Sequence, residues 1–394
     1  MQKKLTKIID VLQYSRFSVI LHIAMNRLWL YFPENDLALA AGTACYTAPP
    51  AAWALHMAGE ALPLWMAGPG DRILCSGLNA RWLAETCSRF NIIDVDVYDH
   101  RSAGLTASPW GWSEASRRML ADGGYPETQL PGVDAIARLR NMSHRRTAAA
   151  LAERLQSELS FRIAPAAIEA ADISVVEAFL EDNGAVIAKS PWSSSGRGLV
   201  RSRNMPREAF LQQTAGIIRR QGSVMLEREY DKVLDFAMLF EADGVGGVSY
   251  RGLSLFDTSA RGAYTSNVVA SQDAIRARIA AVAAEERLAA VQTALGHVLP
   301  RVLDGYAGPL GVDMLLTRDG LLDATVELNL RYTMGFVALA LAERVAPGVE
   351  ANLSVVARPD GPAAGAVIDG CGRVVSGSLD LTPPHAAFAF RLSV

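Results

Sequence analysis

Histidine and cysteine are scarce, with six and four in 394 residues. Cys45, Cys75, Cys87 and Cys371 lie far apart and form no C-x-x-C pair with nearby histidines. Neither a structural zinc site nor a disulfide framework is expected, which leaves buried free thiols. An excess of one charge is also missing: 38 Lys and Arg stand against 41 Asp and Glu. Without overall basicity, and without aromatics interleaved among basic residues, nucleic-acid binding is not expected. No uninterrupted apolar run approaches the roughly 20 residues of a membrane-spanning helix, so no membrane association is expected. The opening "MQKKLTKIIDVLQYSRFSVILHIAMNRLWLYF" is basic and then apolar, but His22, Asn26 and Arg27 interrupt it and no small-residue cleavage site follows. It reads as no export signal, and a cytoplasmic location is the expectation. Fixed-period repeats and low-complexity tracts are absent.

Half of the residues are hydrophobic, and the length suits two or three substantial cores. In residues 1–130, "RILCS" and "NIIDVDVY" read as strands. "AAWALHMAGEAL" and "NARWLAETCSRF" read as helices, and "PWGWSEASRRML" as a further helix capped by Ser113. This is a small α/β unit, with the turn-rich "ADGGYPETQLPG" as its boundary. Residues 131–222 follow as helix, strand, loop and helix, the last helix opening near Pro206 and closing at Gly222. Residues 223–340 supply "SVMLERE" and a meander of "VLDFAMLF", "VSYRGLSLF" and "GAYTSNVVA". One long helix from Gln272 to about Val298 and a hairpin over 311–329 turning at "RDG" complete that part. Residues 341–394 hold the rest of a short helix and two or three strands that complete or append to the module.

Two stretches carry chemistry. In "AVIAKSPWSSSGRGL" a strand ends at Lys189 and feeds a loop of small residues, a common way to bring backbone amides and a cation to phosphate oxygens. It is not a Walker A loop, because Lys189 precedes the glycines. In the hairpin, Glu327 and Asn329 share a face by alternation, and a tight turn brings Asp313 opposite them. Two carboxylates and an amide oxygen suit magnesium, with phosphate oxygens completing its shell. Arg331, one alternation on, reaches the same region. A solvated hairpin face shows the same polar pattern, and its combination with the Lys189 loop is what favours the chemical reading. Packing serves Trp110, Trp112 and Trp192 as well as ligand stacking does. His144 and His385 read as structural or surface histidines.

These residues, in this order, resemble the ATP-grasp superfamily over about residues 130–340, and are most similar to a bacterial subgroup with "KSPWSSSGRG" and "ELNxRxTMG". The resemblance implies an α/β ATP-grasp fold with an N-terminal pre-ATP-grasp domain over 1–130. The first lobe, with the phosphate loop, would span 131–222 and the second, with the metal hairpin, 223–340. It further implies that Lys189 contacts phosphate and that Ser193, Ser194, Ser195, Gly196, Arg197 and Gly198 form the loop above it. Glu227 would accept from the adenine amino group, with backbone near Arg228 and Tyr230 completing recognition and Glu229 toward the ribose. Asp313, Glu327 and Asn329 match the magnesium ligands, and Arg331 the arginine of the reaction centre. Arg145 or Arg146 would replace a second phosphate-binding lysine.

The activity implied is an ATP-dependent carboxylate–amine ligase working through an acyl phosphate and releasing ADP and phosphate. A kinase or carboxylase on the same fold, or a nucleotide-binding module without turnover, stays open. The implied partners are small-molecule carboxylate and amine substrates, in a pocket between the N-terminal region and the grasp module near "FPEND" and "PWGWS". Asp36, Arg81 and Trp112 stay open as substrate contacts, and a homodimer stays open as the assembly state.

Overall fold

The computed structural model describes residues 26–100, 102–193, 198–259, 262–359 and 361–394. Among them the strands form three sheets that follow one another along the chain. The first has the order β3-β2-β1-β4, from β1 (Arg27–Leu30), β2 (Arg72–Leu74), β3 (Asp96–Val97) and β4 (Thr106–Pro109). All its pairings are parallel, so helices must connect and cover it. They are α1 (Asn35–Ala41), α2 (Pro50–Gly59), α3 (Ala80–Phe90) and α4 (Glu114–Asp122). Ser113 caps α4 as expected, its Oγ accepting from the Ser116 N–H at 3.2 Å within a buried reciprocal box.

Two helices, α5 (Val133–Met142) and α6 (Arg146–Glu158), lead into the second sheet. It has the order β5-β8-β6-β7 and is antiparallel, from β5 (Ile168–Ala170), β6 (Val186–Lys189), β7 (Leu199–Arg201) and β8 (Val224–Arg228). Helices α7 (Ile173–Asn183) and α8 (Arg207–Gln221) cover one face, packing Val176, Phe210 and Ile217 against Val186, Ala188, Val224 and Leu226. Alternation sends Ile187, Lys189, Met225 and Glu227 to the other face.

The third sheet begins with β9 (Lys232–Asp243), β10 (Val248–Thr258) and β11 (Tyr264–Val269). Next come α9 (Gln272–Ala283) and α10 (Glu285–Val302), and then the hairpin β12 (Ala307–Thr317) and β13 (Leu322–Asn329). After α11 (Met334–Ala342), four strands extend the same sheet: β14 (Ala351–Ala357), β15 (Gly365–Ile368), β16 (Val374–Asp380) and β17 (Phe388–Ser393). The order is β13-β12-β9-β10-β11-β14-β17-β16-β15. Phe236, Met238, Phe240, Val312 and Met314 point to the face covered by α9 and α10. The alternate residues Ala237, Asp313, Glu327 and Asn329 therefore point to the opposite face.

Four expectations are corrected. The cysteines are free but not buried: Cys45 and Cys371 are exposed and Cys75 and Cys87 partly exposed. The single helix from 272 is two, broken at Ala284, which takes φ 65° and so leaves the helical region. No glycine or proline marks that position. The C-terminal strands number four among the described residues, and "NIIDVDVY" forms a strand only at Asp96–Val97. No helix among the described residues is long and apolar enough to cross a membrane.

The first sheet docks on the hairpin through a single backbone bridge between Gly111 and Arg331. A β-carbon at Gly111 would come 2.5 Å from Asn35 Nδ2 and 3.0 Å from Arg331 Cβ. Gly111→Ala should therefore cost about 1–3 kcal/mol by overpacking. The readout is a lower denaturant midpoint with unchanged far-UV dichroism, and an unchanged midpoint would contradict this close approach.

Candidate functional site

Pairing of β6 with β8 places Ile187 opposite Glu227 and Lys189 opposite Met225. Lys189 and Glu227 are thus diagonal neighbours, and the Lys189 ammonium contacts the Glu227 carboxylate. Lys189 is only 6% exposed, and its Nζ also donates to the Val326 carbonyl at 3.3 Å. That carbonyl lies in the stretch of β13 where the register shifts between Asp313 and Leu315 of its partner. The second and third sheets therefore face each other across Lys189. Burial and then Arg145 push the ammonium down to about 8, while Asp323 and Glu327 pull the other way. At neutral pH Lys189 remains a cation.

The hairpin assembles as its alternation requires. Asp313 pairs in register with Glu327, and Asn329 Nδ2 donates to Asp313 Oδ2 at 3.0 Å. Burial and the neighbouring Glu327 hold the Asp313 carboxyl well above the usual carboxylate range. Two carboxylates this close favour a shared cation, and with one amide oxygen they offer the hard-oxygen set that magnesium takes when phosphate and water complete its shell. Among the described residues no group of three or more His, Cys, Asp or Glu side chains is placed to hold a metal ion, and this set has two carboxylates and an amide.

Of the two arginine candidates, Arg145 faces the site. Its Nη2 lies 2.8 Å from Glu327 Oε1 and donates to Ser193 Oγ at 3.1 Å, and its Nε donates to the Ser190 carbonyl at 3.0 Å. Arg146 turns away, half exposed and 3.8 Å from Glu169. The base of the small-residue loop closes where the Ser190 N–H donates to the Gly198 carbonyl at 2.9 Å. Gly198 has φ 74°, and a β-carbon there would lie 2.6 Å from Ser190 Oγ, so only glycine fits. Ser194, Ser195, Gly196 and Arg197 lie outside the described residues.

Other expected residues sit apart from this cluster. Glu229 pairs with Arg201 at 2.8 Å and Arg203 at 3.6 Å, Arg228 is exposed, and Tyr230 is half-buried. Trp192 serves packing: Arg140 stacks on it at 4.0 Å and its Nε1 donates to the Arg140 carbonyl at 2.9 Å. Arg81 is a surface residue paired with Glu85, and Trp112 packs against two hydrophobic clusters. His385 supports a local turn through Ala387.

Arg331 is gripped by Asp36, with Nε to Oδ1 at 3.1 Å and Nη2 to Oδ2 at 2.7 Å, while Nη1 donates to the Tyr332 carbonyl at 3.1 Å. Burial works against its charge, but Asp36 outweighs this and holds the guanidinium above its ordinary value. Beside it opens a cavity of about 230 Å³ lined by Asp313, Glu327, Asn329 and Arg331 and by residues of the first sheet's unit, including Tyr31, Glu34 and Trp110. Pro33 and Glu34 of "FPEND" and Trp110 of "PWGWS" thus line this cavity. Reading the sequence missed Asp323, a buried carboxylate facing the Lys189 cleft, and the Glu34–His56 pair. The odd-numbered alternation of "LDATVELN" carries the signal for Asp323; nothing local signals His56.

No family model matches the chain, and the curated proteins give no significant match. Solved structures do. A biotin carboxylase from Campylobacter jejuni, in a beta-gamma-ATP complex, aligns with TM-score 0.52 at 12% identity, covering 94% of this chain and 87% of that one. The biotin carboxylase domain of the Hydrogenobacter thermophilus 2-oxoglutarate carboxylase aligns with TM-score 0.46 at 13% identity, over 93% and 86%. An N5-carboxyaminoimidazole ribonucleotide synthetase from Thermus thermophilus aligns with TM-score 0.46 at 13% identity, over 93% of each chain. The first likeness shows an α/β, ATP-grasp-like fold.

His144 gives the site a pH signature. It is buried edge-on against Trp192 at 4.6 Å, its Nδ1 accepts the Arg146 N–H at 3.1 Å, and burial followed by Arg146 lowers it from 6.5 to about 4. The unfolded chain takes up this proton first, so the stability contribution is present above pH 6.5 and is lost as pH falls toward 4. His144→Gln should flatten the denaturant midpoint over that window; parallel profiles for both proteins would contradict a buried neutral imidazole.

Proposed function

We propose that this chain is an ATP-dependent carboxylate–amine ligase, in which a carboxylate attacks the γ-phosphorus and an amine displaces phosphate from the resulting acyl phosphate. The carrying observation is a cluster joined at Glu327: Asp313, Glu327, Asn329 and Arg331 line one cavity, Arg145 pairs with Glu327, and Lys189 donates to the adjacent Val326 carbonyl. Three cations beside two carboxylates match the charge pattern that phosphoryl transfer demands. The biotin carboxylase likeness, with its bound ATP analogue, supports ATP as the phosphoryl donor on this fold.

Asp313, Glu327 and Asn329 would hold magnesium, which when bound offsets charge on the phosphate oxygens. Lys189 and Arg145 sit on the cleft between the second and third sheets, where they bind phosphate once Glu327 turns to the metal and Glu227 to the adenine. Glu227, released by Lys189, becomes free to accept from the adenine amino group. Arg331, fixed by Asp36, presents a guanidinium beside the cavity and orients the substrate carboxylate. Enclosure by the first sheet's unit keeps water from the acyl phosphate.

A kinase, a carboxylase or a module without turnover gives different products. The cavity favours an organic acceptor, because Leu37, Leu55, Trp110, Phe256 and Phe390 stand on its wall beside the charged groups. Incubation with magnesium ATP and pooled carboxylic acids and amines should release ADP and phosphate in equal amounts with an amide product. Arg331→Lys should lower kcat by about 100-fold or more, since it loses the fixed fork, while ATP affinity stays within a few-fold. A phosphorylated or carboxylated final product, or an unaffected Arg331→Lys enzyme, would overturn the reading.

A further inference from the structure

We infer that the cavity beside Arg331 is the amine pocket, and that it takes a small apolar primary amine whose ammonium is received by the Glu34 carboxylate. This rests on the ligase reading above and names one of its substrates.

Glu34 stands on the cavity wall at the start of α1 and is only 3% exposed. Among the described residues the single side-chain donor to its carboxylate is His56 Nδ1, at 3.0 and 3.2 Å from the two oxygens. A carboxylate has about four acceptor positions, so this one keeps lone pairs without protein partners at the cavity. Tyr31, 2% exposed, lines the same cavity, and among the described residues its hydroxyl makes no hydrogen bond. Burial, and then Glu34, push that phenol well above its ordinary value, so it stays protonated and its oxygen can accept from an ammonium. The remaining Glu34 lone pairs suit a ligand that donates hydrogen.

The remaining charges fix the sign of that ligand. Among the described residues Glu34 makes one ion pair, with His56, so no lysine or arginine stands paired with it. A substrate carboxylate at the Glu34 end would face like charge, whereas an ammonium would be neutralised. Leu37, Leu55, Trp110 and Phe390 supply an apolar wall for the rest of the molecule. At about 230 Å³ the space lies below the roughly 300–1,000 Å³ of drug-sized pockets, which selects a small amine.

The step balances. The ammonium gives one proton to a Glu34 oxygen, and the freed nitrogen pair forms the C–N bond at the carbonyl carbon of the acyl phosphate. The C–O bond to phosphate breaks with its electron pair on phosphate, and the second nitrogen proton leaves with that phosphate. Glu34 is thus a catalytic residue of the second half-reaction, and His56 holds it in place.

The test measures binding of phenethylamine, 2-phenylethanol and 3-phenylpropionate to the full chain by calorimetry, without nucleotide. Magnesium ATP binding is measured separately. Phenethylamine should bind at least about tenfold more tightly than the other two, and Glu34→Gln should erase the difference while leaving ATP binding unchanged. Ala52→Leu, which narrows the cavity from α2, should weaken phenethylamine and 2-phenylethanol alike. This second variant locates the site if Glu34→Gln does not fold. Equal binding of the three probes to wild type, a preference for the carboxylate, or an amine preference that survives in folded Glu34→Gln would overturn the pocket. An amine preference in a chain that binds no ATP supports the pocket and removes the ligase reading; ATP binding with no amine preference does the reverse.

Discussion

A charge cannot stay buried without a partner, and this constraint arranges the centre of the molecule. Arg331 of the hairpin region is paired with Asp36 after β1, Glu327 of β13 with Arg145 at the start of α6, and Lys189 of β6 with Glu227 of β8. Two of these pairs join different structural units: the first sheet to the third, and the α5–α6 segment to the third. Removing one partner of such a buried pair typically costs about 3–5 kcal/mol, because the other charge is left uncompensated. The pairs therefore hold the units in register and keep cations and carboxylates together in one cleft.

The same pairing makes the centre suited to a polyanion. Glu327 is neutralised by Arg145 and Glu227 by Lys189, so each cation is within reach of the cleft and yet already satisfied. Under the proposed function, magnesium ATP exchanges partners at little electrostatic cost: the metal takes Glu327, the adenine takes Glu227, and the phosphates take Arg145 and Lys189. Asp313, held protonation-prone by burial and by Glu327, is the group most relieved by a divalent cation. Under the same proposal the organic substrates occupy the cavity lined by Glu34 and by Arg331, whose guanidinium Asp36 fixes.

Legibility in the sequence followed locality. The hairpin was readable because period-two alternation alone puts Glu327 and Asn329 on one face and Asp313 opposite. Lys189 was readable from a strand ending in small residues, and Ser113 from its cap position. Arg145 and Arg146 could not be separated, since adjacent residues near a helix start point in different directions and only packing decides which one meets Glu327. Asp36, Glu34 and His56 depend on contacts across as many as 295 positions, as between Asp36 and Arg331, and carry no local pattern. The break at Ala284 was invisible because an alanine, not a glycine, takes the positive φ there. Glu229 follows the strand pattern next to Glu227 but turns to Arg201, a partner set by β7 rather than by its own segment.

The central claim is that these paired charges form a magnesium–ATP site. Calorimetric ATP titration with and without magnesium, on wild type, Lys189→Met and Glu327→Gln, tests it most directly. The account predicts magnesium-dependent binding that weakens by about tenfold or more in each variant, about 1.4 kcal/mol or more of lost affinity. Magnesium should lose its effect in Glu327→Gln. Absence of nucleotide binding by the folded wild type, or binding indifferent to magnesium and to both substitutions, would contradict it.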